Sequence, residues 1–155
     1  MAWDNVAVPL LRGLINDMDP SSFTYSEDEL EEVLVYAAFF VNTEVDFTTT
    51  YTIGVKQFTI TPDPSNTSAD GNLFISLMVL KAGIMIICGE AKTAASQSIK
   101  VVDGPSQIDA GGIYKATKDL CDQLREDYEL AKTKALIGDF SAGEAILTPY
   151  TQENF

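Results

Sequence analysis

Acidic side chains are the most abundant groups in this chain that could do chemistry. Residues 27–32 carry five carboxylates in six positions, and Asp63 and Asp70 flank a loop rich in hydroxyl groups. Oxygen atoms of these kinds are the ligands that calcium and magnesium prefer. Six consecutive residues at the start of one helix cannot wrap around an ion, so we expect residues 27–32 to form a solvated face. Calcium at the Asp63–Asp70 loop remains an alternative.

Most catalytic chemistry has no counterpart in the sequence. The chain contains no histidine, which removes the commonest general base, most catalytic triads and most zinc sites. Gly111 and Gly112 precede a predicted helix, but nothing else supports a phosphate-binding loop. Paired carboxylates in an apolar setting, which would raise their pKa, are not evident. We therefore predict that the protein is not an enzyme and has no metal or other cofactor.

The two cysteines and the apolar segments indicate neither export nor membrane insertion. The N-terminus, MAWDNVAVPLL, lacks a basic region and a cleavage site. We accordingly expect Cys88 and Cys121, both within predicted helices, to be buried thiols rather than a disulfide. The longest apolar run, residues 73–88, contains a serine and Lys81, and we interpret it as too short and too interrupted to span a bilayer.

Charge is unevenly distributed. Hydrophobic residues make up 46% of the 155 positions, as expected for a globular domain, but the net charge is −13. Residues 1–71 carry 12 acids and 2 bases, whereas residues 72–155 carry 11 acids and 8 bases. Nucleic-acid binding depends on clustered cations, so we expect the general surface not to bind DNA.

Hydrophobic periodicity predicts four helices and one β segment. The second helix has the clearest start, because Ser26 and Glu29 form the capping-box pattern and Tyr25 and Leu30 can pack across it. Its second half, residues 33–41, is apolar on every side, which favours contact with a neighbouring subunit. The predicted helices span residues 4–17, 26–42, 70–97 and from 109 or 112 to 137.

Between the second and third predicted helices, apolar residues recur at every second position. Residues 45–61 alternate and are rich in Thr, Val, Ile, Tyr and Phe, which predicts a β-hairpin or a long two-stranded arm. Exposed strands associate readily, so we expect this arm and the second helix to form a subunit interface. The residues predicted for that interface are Tyr36, Phe39, Phe40, Phe47, Tyr51 and Ile53.

The C-terminal segment, residues 139–155, follows the last helix without a helical or strand period. It nevertheless carries large apolar residues, which disordered tails normally lack: Phe140, Ile146, Leu147, Tyr150 and Phe155. Fully extended, it would reach about 55 Å. One interpretation is that it folds back on its own domain, and the other is that it is an arm that docks on a partner. The fold prediction is thus mainly α (α+β), with a helical domain at 1–138 and a docking arm at 139–155.

The order of elements resembles the head–tail connector, or adaptor, proteins of tailed bacteriophages. The resemblance covers about residues 5–155 and includes the capped acidic helix F-T-Y-S-E-D-E-L-E-E, the β segment, the glycine-containing apolar helix, the long charged helix and the C-terminal arm. It implies a virion structural protein at the neck, made in the host cytoplasm, that forms a ring, usually twelvefold, beneath the portal. It also implies that residues 139–155 dock on the portal.

In such a ring the next neck or tail protein would bind the opposite side, and genomic DNA would pass through without specific binding. The acidic bias suits such a channel, because a negative lining does not grip phosphates. Two alternatives remain, namely another neck or tail-completion protein and a non-viral cytoplasmic interaction module.

Overall fold

The computed structural model describes residues 2–67, 70–97 and 110–137, and within them the chain forms four helices and one two-stranded sheet. The predicted mainly helical fold, with a β-hairpin after the second helix, is confirmed. A single turn of 3-10 helix, Pro64–Asn66, precedes the third helix. In chain order the main elements are α1 (Asp4–Ile15), α2 (Glu27–Glu44), β1 (Thr52–Gly54), β2 (Thr59–Thr61), α3 (Gly71–Gln97) and α4 (Ala110–Ile137).

The start of α2 is set by the capping box that the sequence predicts. The Ser26 hydroxyl accepts a hydrogen bond from the Glu29 amide at 3.3 Å, and the Glu29 carboxylate accepts one from the Ser26 amide at 2.8 Å. Two amide groups that the first turn leaves without helical partners are thereby satisfied. The helix ends at Glu44, two residues beyond the predicted end at 42.

Helix α3 is the central element, with α1, α2 and α4 packed around it. Gly83 lets α1 approach closely, because a Cβ atom there would lie 2.5 Å from Cδ2 of Leu14. Gly89 of the same helix does not serve this purpose, since a Cβ at that position would meet no atom within 4 Å. The main core lies between α1, α2 and α3, and its largest fully buried side chains include Trp3, Leu11, Leu30, Leu34, Val35, Val41, Phe74, Leu77 and Met78.

Helix α4 packs antiparallel to α3, and a disulfide joins the two. Cys88 and Cys121 have a Cα–Cα separation of 5.3 Å and are bonded through sulfur, so the prediction of two unpaired thiols is wrong. The reason is the helical hairpin, which places position 88 of one helix level with position 121 of the other. Ile87, Cys121 and Leu124 form a second, smaller core beneath the bond.

The β segment is shorter and more buried than predicted. The two strands pair over three residues each, with Ile53 opposite Ile60, whereas the sequence predicts a β-hairpin or a long two-stranded arm over residues 45–61. Val45, Tyr51 and Ile60 are buried in the main core. The alternation therefore reflects side chains that pack against the chain's own helices, and the hairpin lies against α2 instead of projecting as a long arm.

Residues Gly71–Ser96 of α3 form a stretch of 26 residues that is long and apolar enough to cross a membrane. The helix extends beyond the apolar run at 73–88, so the prediction that this segment is too short to span a bilayer is wrong. Of its most apolar window, 56% is buried inside the protein, and three helices cover it. Buried central helices of globular domains share this composition. The sequence also predicts an extended crossover at 99–102, between α3 and α4, and this segment lies outside the described residues.

Candidate subunit interface

The end of α2 is tied to α3 and α4 through the carboxylate of Glu44. Lys81 of α3 donates to its Oε1 at 2.6 Å, and the Tyr128 hydroxyl of α4 donates to its Oε2 at 2.8 Å. Lys132 lies 3.5 Å from the same carboxylate. Partial burial raises the pKa of Glu44, but these hydrogen bonds and charges outweigh burial and leave it below its ordinary value. This cluster fixes the register of three helices.

The loop between α1 and α2 is organised around Asp17. Its carboxylate accepts hydrogen bonds from the amides of Thr24 and Tyr25 and pairs with Arg12 at 2.6 Å. The amide of Thr24 lowers the pKa of Asp17 most, and against the opposing effect of burial the amide of Tyr25 and the Arg12 charge lower it further. Arg12 also lies over the ring of Phe23, 3.8 Å from its centroid. These groups stabilise the loop and are engaged with each other.

The two aspartates considered for calcium hold different segments instead. Asp63 accepts from Ser65 and from the amide of Ala2, and Asp70 accepts from the Thr49 amide at 3.0 Å and the Tyr51 hydroxyl at 3.3 Å. Among residues 2–67, 70–97 and 110–137, no group of three carboxylate or thiol side chains is placed to hold a metal ion.

Phe39 and Phe40 are the predicted interface residues that the structure leaves on the surface. They are 47% and 44% exposed, and their rings meet edge to face at 6.0 Å between centroids. The rest of the apolar half of α2 behaves differently, because Leu34, Val35 and Val41 are completely buried. Tyr36 is half-buried and donates to Glu32 on its own helix. The apolar half of α2 is thus buried on one side and exposes two phenylalanines on the other.

The prediction that Tyr51 contacts a neighbouring subunit has to be corrected. Its side chain is 3% exposed and packs against Phe74 with ring centroids 4.1 Å apart. Phe47, half-buried, meets both rings edge to face, and Ile53 packs against the same core. These three residues are occupied within their own domain, because the 45–51 segment folds onto α2 and α3.

The other predicted binding segment lies outside the described residues. This applies to the whole docking arm at 139–155, and so to Phe140, Ile146, Leu147, Tyr150 and Phe155. The described chain reaches Ile137 at the end of α4. The arm therefore remains a prediction from sequence.

A concentration of carboxylates, here called the acidic face, surrounds the start of α2. It consists of Asp4, Glu27, Asp28 and Glu31. Partial burial, followed by the charges of Asp4, Asp28 and Glu27, raises the pKa of Glu31. An open cleft of about 360 Å³ beside Asp4 and Glu27 is lined by the exposed side chains of Met18 and Phe23. The acidic end that composition predicts is thus also partly apolar.

A second surface, here called the cationic groove, runs between α3 and α4 and was missed in the sequence. It measures about 470 Å³. Among the described residues, Lys92, Lys118 and Arg125 line it together with one carboxylate, Asp122. Met85, Ala91, Tyr114 and the disulfide supply its apolar part. The signal was present, because residues 85, 88 and 92 and residues 114, 118, 121 and 125 recur at helical spacing. Pairing the two helices was needed to bring them together.

Comparison with protein-family models, with curated proteins and with solved structures shows no significant match to this chain.

Proposed function

We propose that this chain is a virion structural protein, the head-to-tail adaptor that forms a ring beneath the portal of a tailed bacteriophage. In this role it extends the DNA channel and joins head to tail, and it performs no catalysis. The proposal starts from the family resemblance in the order and character of the elements. What supports it among the described residues is the exposed Phe39–Phe40 pair.

Two adjacent phenylalanines left nearly half exposed in the apolar half of α2 favour a protein–protein contact. Aromatic side chains are enriched at the centres of interfaces, and each would bury enough apolar area to contribute about 1.5–3 kcal/mol. Phe40 also lies 5.7 Å from the ammonium group of Lys81, which joins this pair to the polar cluster around Glu44. A second copy that covers both rings would complete the burial of α2.

The strongly ionised groups described above support a structural role. Glu44 and Asp70 receive hydrogen bonds from segments distant in sequence, and Asp17 receives them from Thr24 and Tyr25 within its own loop. Their lowered pKa values keep them ionised at neutral pH, which suits groups that hold segments together. The net charge of −13 suits a channel through which DNA passes without being held.

The proposal is tested by the mass of the purified protein, alone and mixed with portal particles, measured by analytical ultracentrifugation. We expect discrete rings on the portal particles. Phe39→Ser with Phe40→Ser should abolish ring formation without loss of the helical circular dichroism. Leu130→Ser, a similarly exposed apolar residue on α4, is the matched control and should assemble normally. Failure of the wild-type protein to associate with portal particles would overturn the proposal.

A further inference from the structure

The cationic groove is unusual because the rest of the chain is strongly acidic. Its three cations face one carboxylate, since Lys118 and Arg125 both lie near Asp122, at 2.6 and 3.7 Å. The described residues that line the groove therefore carry a net charge of +2, in a protein whose total is −13. Its floor is apolar, with Met85 and the Cys88–Cys121 disulfide. A partner suited to it presents carboxylates together with apolar side chains.

The acidic face of this same chain has that composition. Its carboxylates border a cleft at which Met18 is 63% exposed and Phe23 45% exposed. Partial burial, followed by repulsion from the neighbouring carboxylates, raises the pKa of Glu31. Cations from outside the subunit would relieve that repulsion.

The segment directly before the acidic residues of α2 and the cationic groove lie on nearly opposite sides of α3. The hydroxyl of Tyr25, directly before α2, donates to Glu90 of α3 at 2.5 Å, whereas Lys92 lines the groove. Two residues of α-helix correspond to a rotation of about 200°. The side chains of Glu90 and Lys92 therefore point about 160° apart around α3. Surfaces placed in this way cannot meet within one subunit, but they allow head-to-tail contact between successive subunits.

We propose that in the assembled ring the acidic face of one copy docks in the cationic groove of the next copy. This inference rests on the proposed function, since it specifies the contact from which that ring is built. Met18 and Phe23 lie over the apolar floor, while Glu27 and Glu31 approach Lys92 and Arg125. A head-to-tail contact of two different surfaces closes into a ring when the rotation between copies allows it.

The exposed phenylalanine pair belongs to the same receiving surface. Lys81, Met85, Cys88 and Lys92 follow one another at intervals of four, three and four residues, which places them on one face of α3. Phe40 lies beside Lys81, the first residue of this row on α3. In the proposed contact the neighbouring copy covers Phe40 as well as the groove, and unlike charges offset the repulsion between copies that each carry −13.

Zero-length crosslinking tests the contact directly. Equal amounts of unlabelled and 15N-labelled full-length protein are assembled on portal particles and treated with a carbodiimide, which joins amines to adjacent carboxylates. Mass spectrometry should find mixed-isotope links from Lys92 or Lys118 to Glu27, Asp28 or Glu31. Rings whose mixed links join other surfaces would overturn this inference and leave the proposed function intact, whereas the absence of any ring would overturn both.

Charge reversal supplies an independent measurement. Lys92→Glu with Arg125→Glu should reduce ring occupancy about tenfold at low salt, because like charges then face each other. Adding Glu27→Lys and Glu31→Lys to the same chain should restore it. The control, Lys115→Glu with Lys134→Glu, makes the same charge change at exposed lysines of α4 outside the groove and should assemble as the wild type does. Equal loss in the control, or no rescue by the fourfold variant while it remains folded, would contradict the proposed contact.

Discussion

Tyr128 of α4 donates a hydrogen bond of 2.8 Å to Glu44 at the end of α2. These residues are 84 positions apart in sequence. The bond joins the outermost helix to the helix that carries the exposed phenylalanine pair. Lys81, whose ammonium group lies 4.7 Å from the Tyr128 ring centroid, completes the connection through α3.

Removal of the Tyr128 hydroxyl should destabilise the fold measurably. Tyr128→Phe keeps the buried ring but takes one hydrogen bond from a carboxylate, for which we expect a loss of about 1.5–3 kcal/mol in the free energy of unfolding. Urea denaturation followed by circular dichroism measures it. Tyr36→Phe, which removes a bond to Glu32 within a single helix, is the control and should cost distinctly less. Equal effects would show that the Glu44 cluster does not hold the helices together.

Acid should destabilise the protein through its hydrogen-bonded aspartates. The amide of Thr24 lowers the pKa of Asp17, and hydrogen bonds from Thr49 and Tyr51 lower that of Asp70 despite its burial. An unfolded aspartate titrates at about 3.9, so below roughly pH 5 the unfolded chain binds more protons than the folded one. The stability that these groups contribute is complete above that range and is lost as the pH falls through the folded values.

Asp17→Asn tests this dependence. The variant should be less stable than the wild type at neutral pH, and the difference should shrink as the pH is lowered to about 3, where the wild-type carboxylate loses its advantage. Asp46→Asn alters an exposed aspartate and serves as the control. A difference between Asp17→Asn and wild type that stays constant with pH would show that the charge of Asp17 is not what stabilises the loop.

The disulfide should contribute strongly to stability, because it closes a loop of 33 residues between α3 and α4. The loop-closure model gives about 3–4 kcal/mol for such a separation. We expect a reducing agent to lower the free energy of unfolding of the wild type by this amount. A variant with both Cys88→Ala and Cys121→Ala should be insensitive to the reducing agent. A wild type that is equally insensitive would contradict the prediction.

Deletion of residues 139–155 should leave the helical domain folded but abolish its attachment to portal particles. The four described helices end at or before Ile137, so the truncated protein should melt as the full chain does. It should no longer bind portal particles, because burying the five large apolar residues of the arm contributes on the order of 10 kcal/mol gross. Ordering the arm costs roughly 1–2 kcal/mol per residue, so firm attachment depends on several arms of one ring binding together. A truncated protein that unfolds, or one that still binds, would show that the segment belongs to the domain itself.

Features that depend on local interactions could be predicted from the amino-acid sequence alone. The capping box at Ser26 and Glu29 and the limits of α3 and α4 follow from residue type and spacing over a few positions, and the structure agrees with the prediction to within two residues at each of them. The position of the β-hairpin was predictable for the same reason, since strand-forming residues and alternation are local signals.

Tertiary structure decided which surfaces face solvent and which partners meet across the fold. Apolar and polar residues alternate at 45–61, and this pattern is the same for a strand that faces a neighbouring subunit and for one that faces its own core. Only the packing of Tyr51 against Phe74 distinguishes the two cases. Cys88 meets Cys121 because α3 and α4 are antiparallel in a particular register. The cationic groove arises from the same pairing, which gathers Lys92 and Arg125 from separate helices. Local spacing carries no information about such contacts, because they depend on how whole helices are placed against each other.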